Sequence, residues 1–271
     1  MVEVTFEDIL ILPDKDFNPD MTCIVAGCGG EIGRAIAIAA SANNLMTIGL
    51  DSDGEEGKKT QKLARDIGGQ MIFLETDLES DKGLECSIYE ASKLGTIKYL
   101  ANVAKIEGTA FPEVFTDETY DFIRHAMLRV PLYLSKLTIP RMKKSSNGTG
   151  VIGNLLTINS TLCGKDKTFD SVNGYVLEAL RKSTSVGEGN IRFFTIYSGS
   201  GTSLHKLNRF AENNKYTVIS GEKSDRNVIT EKQYHYDLMT PIEIANMFIF
   251  GFSRYSRRLI EGSLLFDGKL L

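Results

Sequence analysis

The chain has 271 residues, 42% of them hydrophobic and 24% charged, with a net charge of −4, an ordinary globular composition for one large α/β domain or two small ones. That balance gives no electrostatic reason to expect nucleic acid or an anionic membrane as partner. The most apolar run, residues 242–252, carries Glu243 and Asn246 and is too short to span a bilayer.

Residues 1–20 read as a polar lead-in with Pro13 and Pro19, whose Glu3, Glu7 and Asp8 do not resemble the basic start of a signal peptide; a cytoplasmic protein is expected. Strand and helix patterns then alternate. Residues 22–26 form a strand and residues 32–41 a helix. Between them stands Gly27-Cys28-Gly29-Gly30-Glu31-Ile32-Gly33, a sharp turn from strand into helix. Gly27 suits the tight turn, Gly30 lets backbone approach a pyrophosphate, and Gly33 lets the helix sit against the strand. The helix N-terminus offers free N–H groups to an anion.

Residues 45–50 form a second strand ending at Asp51, about twenty residues past the turn, where a carboxylate accepts hydrogen bonds from an adenosine ribose and repels a 2′-phosphate. The same acid also fits a solvated turn, since Asp53, Glu55 and Glu56 crowd the loop. A charged helix over 55–67 follows, then a strand at 71–74, a helix at 80–94 and a strand at 97–103. A long helix is expected over 117–142, interrupted by Pro131 and stopped near Pro140. Strands at 150–159 and 191–197 flank a helix at 174–185. Residues 200–240 are polar and irregular, Thr240 caps a helix over 241–252, and 264–266 is a last short strand. Such alternation implies an α/β fold, a doubly wound, mostly parallel sheet of about seven strands with helices on both faces. Residues 21–271 read as a single Rossmann-type domain. The four cysteines, Cys23, Cys28, Cys86 and Cys163, form no CxxC pair, and there are three histidines; reduced thiols and no metal site are expected.

These residues together resemble the short-chain dehydrogenase/reductase family from about residue 20 onward. The glycine turn and Asp51 carry the resemblance, with Thr76-Asp77-Leu78 after the third strand and Leu100-Ala101-Asn102-Val103-Ala104 on the fourth. Ile158-Asn159-Ser160 looks like the strand end bearing the family's active-site serine, and Asn190-Ile191-Arg192 with Ser198-Gly199 like the sixth strand and its turn. The C-terminal part (Glu231-Lys232-Gln233, Met239-Thr240-Pro241, Phe266-Asp267-Gly268) looks most like 3-hydroxybutyrate dehydrogenases. The resemblance implies NAD(H) as cofactor. Gly27, Gly30, Ile32, Gly33, Asp51, Asp77, Leu78, Asn102 and Thr202 would hold it. It also implies a small-molecule hydroxy or oxo substrate beneath a flap at about 200–240, and a homodimer or homotetramer built on the 117–142 and 174–185 helices.

The departures fall on the chemistry. The family pairs a serine with a tyrosine about thirteen residues later and a lysine four residues beyond that. Counting from Ser160 gives Asn173 and Leu177, neither able to do acid–base work. A loop two residues longer puts Tyr175 in the tyrosine place, with Ala179 where lysine is expected and Lys182 nearly two turns on. Without an ammonium nearby a phenol titrates near 10, so Tyr175 would donate a proton to a carbonyl far better than it would remove one from an alcohol. The family's helix asparagine falls at Met127, its Asn-Asn-Ala-Gly glycine at Lys105, and the middle glycine of the turn at Glu31. Three readings stand: an oxidoreductase with Ser160 and Tyr175 as catalytic residues, a non-catalytic dinucleotide sensor or scaffold, and a chain that no longer binds a dinucleotide.

Overall fold

The computed structural model describes residues 6–103, 129–145, 148–157, 190–198, 217–219, 228–230, 240–257 and 262–266. Its centre is one sheet of seven strands: β1 (Met21–Ala26), β2 (Met46–Asp51), β3 (Gln70–Glu75), β4 (Thr96–Asn102), β5 (Gly150–Thr157), β6 (Ile191–Ser198) and β9 (Gly262–Phe266). The order is β3-β2-β1-β4-β5-β6-β9 and every neighbouring pair is parallel. The order reverses between β1 and β4, so the crevice beyond their carboxyl ends is the topological switch point where open α/β sheets bind ligands.

Helices α1 (Glu31–Ala42), α2 (Gly54–Asp66), α3 (Asp81–Leu94), α4 (Val130–Ser145) and α5 (Pro241–Phe252) lie between the strands in sequence. On one face α1 and α5 pack over β1 and β4–β6, burying Ala35, Ile36, Ala39 and Phe248. The run of alanines keeps α1 thin enough to sit close to the sheet and to α5. On the other face α3 and α4 bury Leu84, Ile88, Leu134 and Met142 against Ile24, Ile48, Leu100 and Ile152. β1, covered on both faces, is buried over five of its six residues and reads as a near-continuous apolar run interrupted only by Thr22. β3, at the edge, has one buried residue.

The helix starts follow from their first residues. The Asp53 carboxylate accepts from the N–H groups of Glu55 and Glu56, both at 3.0 Å, the Ser80 hydroxyl caps α3, and Thr240 with Glu243 forms a capping box ahead of Pro241. The capped helix at 241–252 is found as expected.

Three expectations change. α4 runs through Pro140 to Ser145 rather than stopping there. Pro140 and Lys136 are exposed, so the carbonyl that proline leaves without its donor faces water, while Leu134, Thr138 and Met142 hold the buried side of the helix. The described part of β5 runs to Thr157; residues 158 and 159 of the expected strand lie outside the described residues. The polar 200–240 segment contains two short parallel strands, β7 (Thr217–Ile219) and β8 (Val228–Thr230). The lead-in is part of the core: Ile9 and Phe17 are buried in it, and two asparagines clamp its backbone. Asn43 donates to the Leu10 carbonyl at 2.8 Å and accepts from the Leu12 N–H at 2.9 Å. Asn246 accepts from the Leu10 N–H and donates to the Asp8 carbonyl, each at 2.8 Å. The expected helix over 174–185 lies outside the described residues.

No helix among the described residues is long and apolar enough to cross a membrane, and no group of three or more His, Cys, Asp or Glu among them is placed to hold a metal ion.

Candidate dinucleotide site

The turn after β1 is built from three close approaches. Gly27 has φ 93°, in the region that favours glycine, and its N–H donates to the Leu50 carbonyl at 2.8 Å. A Cβ on Gly33 would lie 1.9 Å from the Gly27 carbonyl oxygen, so α1 crosses the turn where only a hydrogen fits. A Cβ on Gly29 would lie 3.0 Å from the Asp51 carboxyl carbon. Gly30 is different: exposed, extended at φ −70° and ψ 160°, its nearest neighbour would be 3.7 Å from an added Cβ. The fold does not crowd Gly30, so the room there is room for something outside the chain.

Gly30 is also the N-cap of α1 and brings no side-chain cap. The N–H groups at the start of the helix lack intrahelical acceptors by geometry, which leaves a place where an anion is favoured. Glu31 in that first turn is exposed and brings a negative charge of its own. Ile32 is half-buried and packs on the α1 side of the core.

Asp51 ends β2 beside this turn. Its Oδ2 accepts from the Gly29 N–H at 2.8 Å and its Oδ1 from the Asp53 N–H at 3.0 Å. Each oxygen has a second lone pair, so the carboxylate anchors the loop and still has capacity for ribose hydroxyls. On the far side of the turn, the Arg34 guanidinium donates to the Gly29 carbonyl at 2.8 Å and to Thr60 Oγ1 at 3.0 Å, and pairs with Glu56. Thr60 Oγ1 lies 2.9 Å from the Cys28 carbonyl oxygen, to which it donates. The carbonyls of Cys28 and Gly29 are thus held from α1 and α2. The Cys28 side chain is buried, and burial pushes its thiol well up from the usual range, which makes it inert packing.

Beyond β3, Thr76 is buried and its hydroxyl lies 2.7 Å from that of Ser87. Asp77 is exposed, accepts from the Glu79 N–H at 2.9 Å and keeps lone pairs toward solvent. Leu78 is half-buried against the α3 side of the core. At the end of β4 the Asn102 amide donates to Asn154 Oδ1 on β5 at 2.8 Å, while its own Oδ1 is buried with no partner among the described residues. A buried orphan acceptor next to the switch point is the kind of group a bound ligand satisfies.

The fold therefore brings Gly27, Gly30, Ile32, Gly33, Asp51, Asp77, Leu78 and Asn102 to one edge of the sheet. Free N–H groups for a pyrophosphate and a carboxylate for a ribose fit a dinucleotide. Ser160, Tyr175 and Thr202 lie outside the described residues, as do Lys105, Met127, Asn173 and Leu177; the described part of β5 runs to Thr157. Sequence reasoning missed Gly29, the Arg34–Glu56–Thr60 latch and the Asn102–Asn154 pair. The Gly29-Gly30 doublet and the one-turn spacing of Glu56 and Thr60 were the available signals.

The model of the short chain dehydrogenase family matches residues 21–169. A 7alpha-hydroxysteroid dehydrogenase of Escherichia coli is 29% identical over 186 residues, covering 65% of this chain and 69% of that protein. A probable galactose dehydrogenase of Rhizobium meliloti is 26% identical over 52% of this chain and 56% of its own length. Among solved structures, a 7alpha-hydroxysteroid dehydrogenase complexed with NADH and 7-oxo glycochenodeoxycholic acid superposes with a TM-score of 0.73 at 22% identity, covering 98% of both chains. An NAD+-bound xylitol dehydrogenase gives 0.73 at 18% identity, over 94% of this chain and 100% of that one.

Proposed function

Because this chain belongs to the short chain dehydrogenase family of oxidoreductases, we propose that it binds NAD(H) over the glycine turn and transfers hydride slowly to or from a small hydroxy or oxo compound. The observation that carries the reading is the pairing of an uncapped α1 N-terminus with the Asp51 carboxylate, both built onto Gly29 and Gly30. The relatives are named for alcohols, a hydroxysteroid and a sugar, in keeping with chemistry at a CH–OH group.

In this account the α1 N–H groups hold the pyrophosphate, Asp51 the adenosine ribose, Asp77 and Leu78 the adenine, and Asn102 and Thr202 the nicotinamide half. The bound cofactor supplies the hydride acceptor or donor. Ser160 polarises the substrate oxygen and Tyr175 hands it a proton. With Leu177 and Ala179 where a lysine would lower the phenol's pKa, Tyr175 stays protonated at neutral pH. Acid–base help is worth about 10²–10⁴-fold, so carbonyl reduction is favoured over alcohol oxidation and either is slow. The missing lysine equally favours a second reading, a dinucleotide sensor or scaffold without turnover. Self-association through the helices at 117–142 and 174–185 belongs to the same proposal.

Titration with NAD⁺ and NADH, followed by hydride-transfer assays on 3-hydroxy acids, sugars and oxo-esters, tests both readings. NADH binding with slow carbonyl reduction supports the first and NADH binding without turnover the second. Failure to bind removes both.

A further inference from the structure

Gly29 is gripped at both ends by groups of opposite charge. Its N–H donates to Asp51 Oδ2 and its carbonyl accepts from Arg34 Nη2, each at 2.8 Å. The carboxylate suited to a ribose and the guanidinium suited to a phosphate thus stand one residue apart. Arginine is the side chain that best recognises phosphate oxygens, so a 2′-phosphate on a ribose held by Asp51 would lie within reach of Arg34. Yet this guanidinium is committed elsewhere: its side chain is 13% exposed and paired with Glu56, whose own is 41% exposed. Nε is used on Thr60. Glu56 also draws Lys59 to 3.4 Å, holding a second cation on α2.

We infer that Glu56 is a specificity-determining residue of this site: it holds Arg34 and Lys59 on the α2 side of the turn and so denies a 2′-phosphate its counter-charge. This rests on the NAD(H) reading above and goes beyond it, because discrimination then comes from a residue five positions past Asp51 that need not touch the cofactor. Glu56 is the carboxylate paired with both Arg34 and Lys59, in a loop that Asp51, Asp53 and Glu55 already make acidic, so a 2′-phosphate gains nothing there. Neutralising Glu56 removes one negative charge and releases Arg34 from its ion pair, while its bonds to Gly29 and Thr60 keep the guanidinium at the turn.

The test is fluorescence titration of the full chain with NADH and NADPH for wild type, Glu56→Gln, and Glu56→Gln combined with Arg34→Met. Glutamine keeps the shape of a partly exposed side chain, so the variant folds. Wild type should prefer NADH. Glu56→Gln should move the NADPH-to-NADH affinity ratio about tenfold toward NADPH, the scale of one unit charge at this range, and adding Arg34→Met should remove that gain. A ratio within about twofold of wild type in Glu56→Gln, or a gain that survives Arg34→Met, overturns the inference while NADH binding by wild type leaves the NAD(H) reading standing. A wild-type chain that binds neither dinucleotide overturns both.

Discussion

The Gly29 N–H donates to Asp51 Oδ2 at 2.8 Å, so the acid at the end of β2 builds the turn that it also serves. Under the proposed NAD(H) reading, stability and binding are therefore joined at Asp51. Asp51→Ala leaves the N–H groups of Gly29 and Asp53 without this acceptor. It should cost about 2 kcal/mol in urea unfolding, weaken NADH by about tenfold or more, and reduce but not erase discrimination against NADPH, since Glu56 still holds Arg34.

Gly33 and Gly30 should separate. Gly33→Ala places a methyl 1.9 Å from the Gly27 carbonyl oxygen, so the turn must move; a loss of about 2–3 kcal/mol or more is expected in denaturant unfolding, with NADH binding lost. Gly30→Ala meets nothing nearer than 3.7 Å and should cost under about 1 kcal/mol, the price of a poorer N-cap. It should still weaken NADH, because its methyl occupies the space a pyrophosphate needs.

Glu31 opposes the anion that the helix start attracts. Glu31→Ala should tighten NADH by about fivefold at low salt, less as salt rises. It should also lower stability by about 0.3–1 kcal/mol, since a carboxylate in the first helical turn is favourable. Unchanged affinity at low salt would place the phosphates away from this helix.

Stability should fall in alkali. Burial raises the Cys23 and Cys28 thiols from an ordinary 9.0 and the Tyr99 phenol from 10.0. Above those ordinary values the unfolded chain releases protons that the folded chain keeps, so unfolding gains by about 1.4 kcal/mol per pH unit for each group. Lys98 works the other way: burial lowers its pKa from 10.5, so as pH rises toward that value the folded chain regains part of the loss. The net is a decline beginning near the thiol value of 9.0, seen as a falling urea midpoint, and flatter in Cys23→Ala.

The sheet was legible because its signals are local. β1 is a largely apolar run, α1 a stripe of small residues, and Thr240 with Glu243 a capping box written in four letters. Helix ends at proline were not: Pro140 stays inside α4 because its freed carbonyl faces water, which depends on what the helix packs against. The lead-in read as polar from its six acids and two prolines, and the burial of Ile9 and Phe17 needs α1 and α5 beside them. At the site, the glycine turn and Asp51 were visible from spacing. The Arg34–Glu56 pair joins residues 22 positions apart, and no local pattern announces it.

The register of the acid–base segment is open to a gain-of-function test. If Tyr175 is the acid–base group, Ala179→Lys supplies an ammonium four residues on that favours the phenolate and should raise kcat for alcohol oxidation by about tenfold to a hundredfold, within the range of acid–base help. The Leu177→Lys variant should leave it unchanged.

The central claim, that this chain holds NAD(H) at the Gly27–Gly33 turn, is tested most directly by a fluorescence titration of the folded wild-type chain with NADH at neutral pH. The account predicts saturable binding of one NADH per chain, half-complete between about 1 μM and 1 mM, and abolished by Gly33→Ala. A folded chain that shows no saturable binding over that range would contradict it.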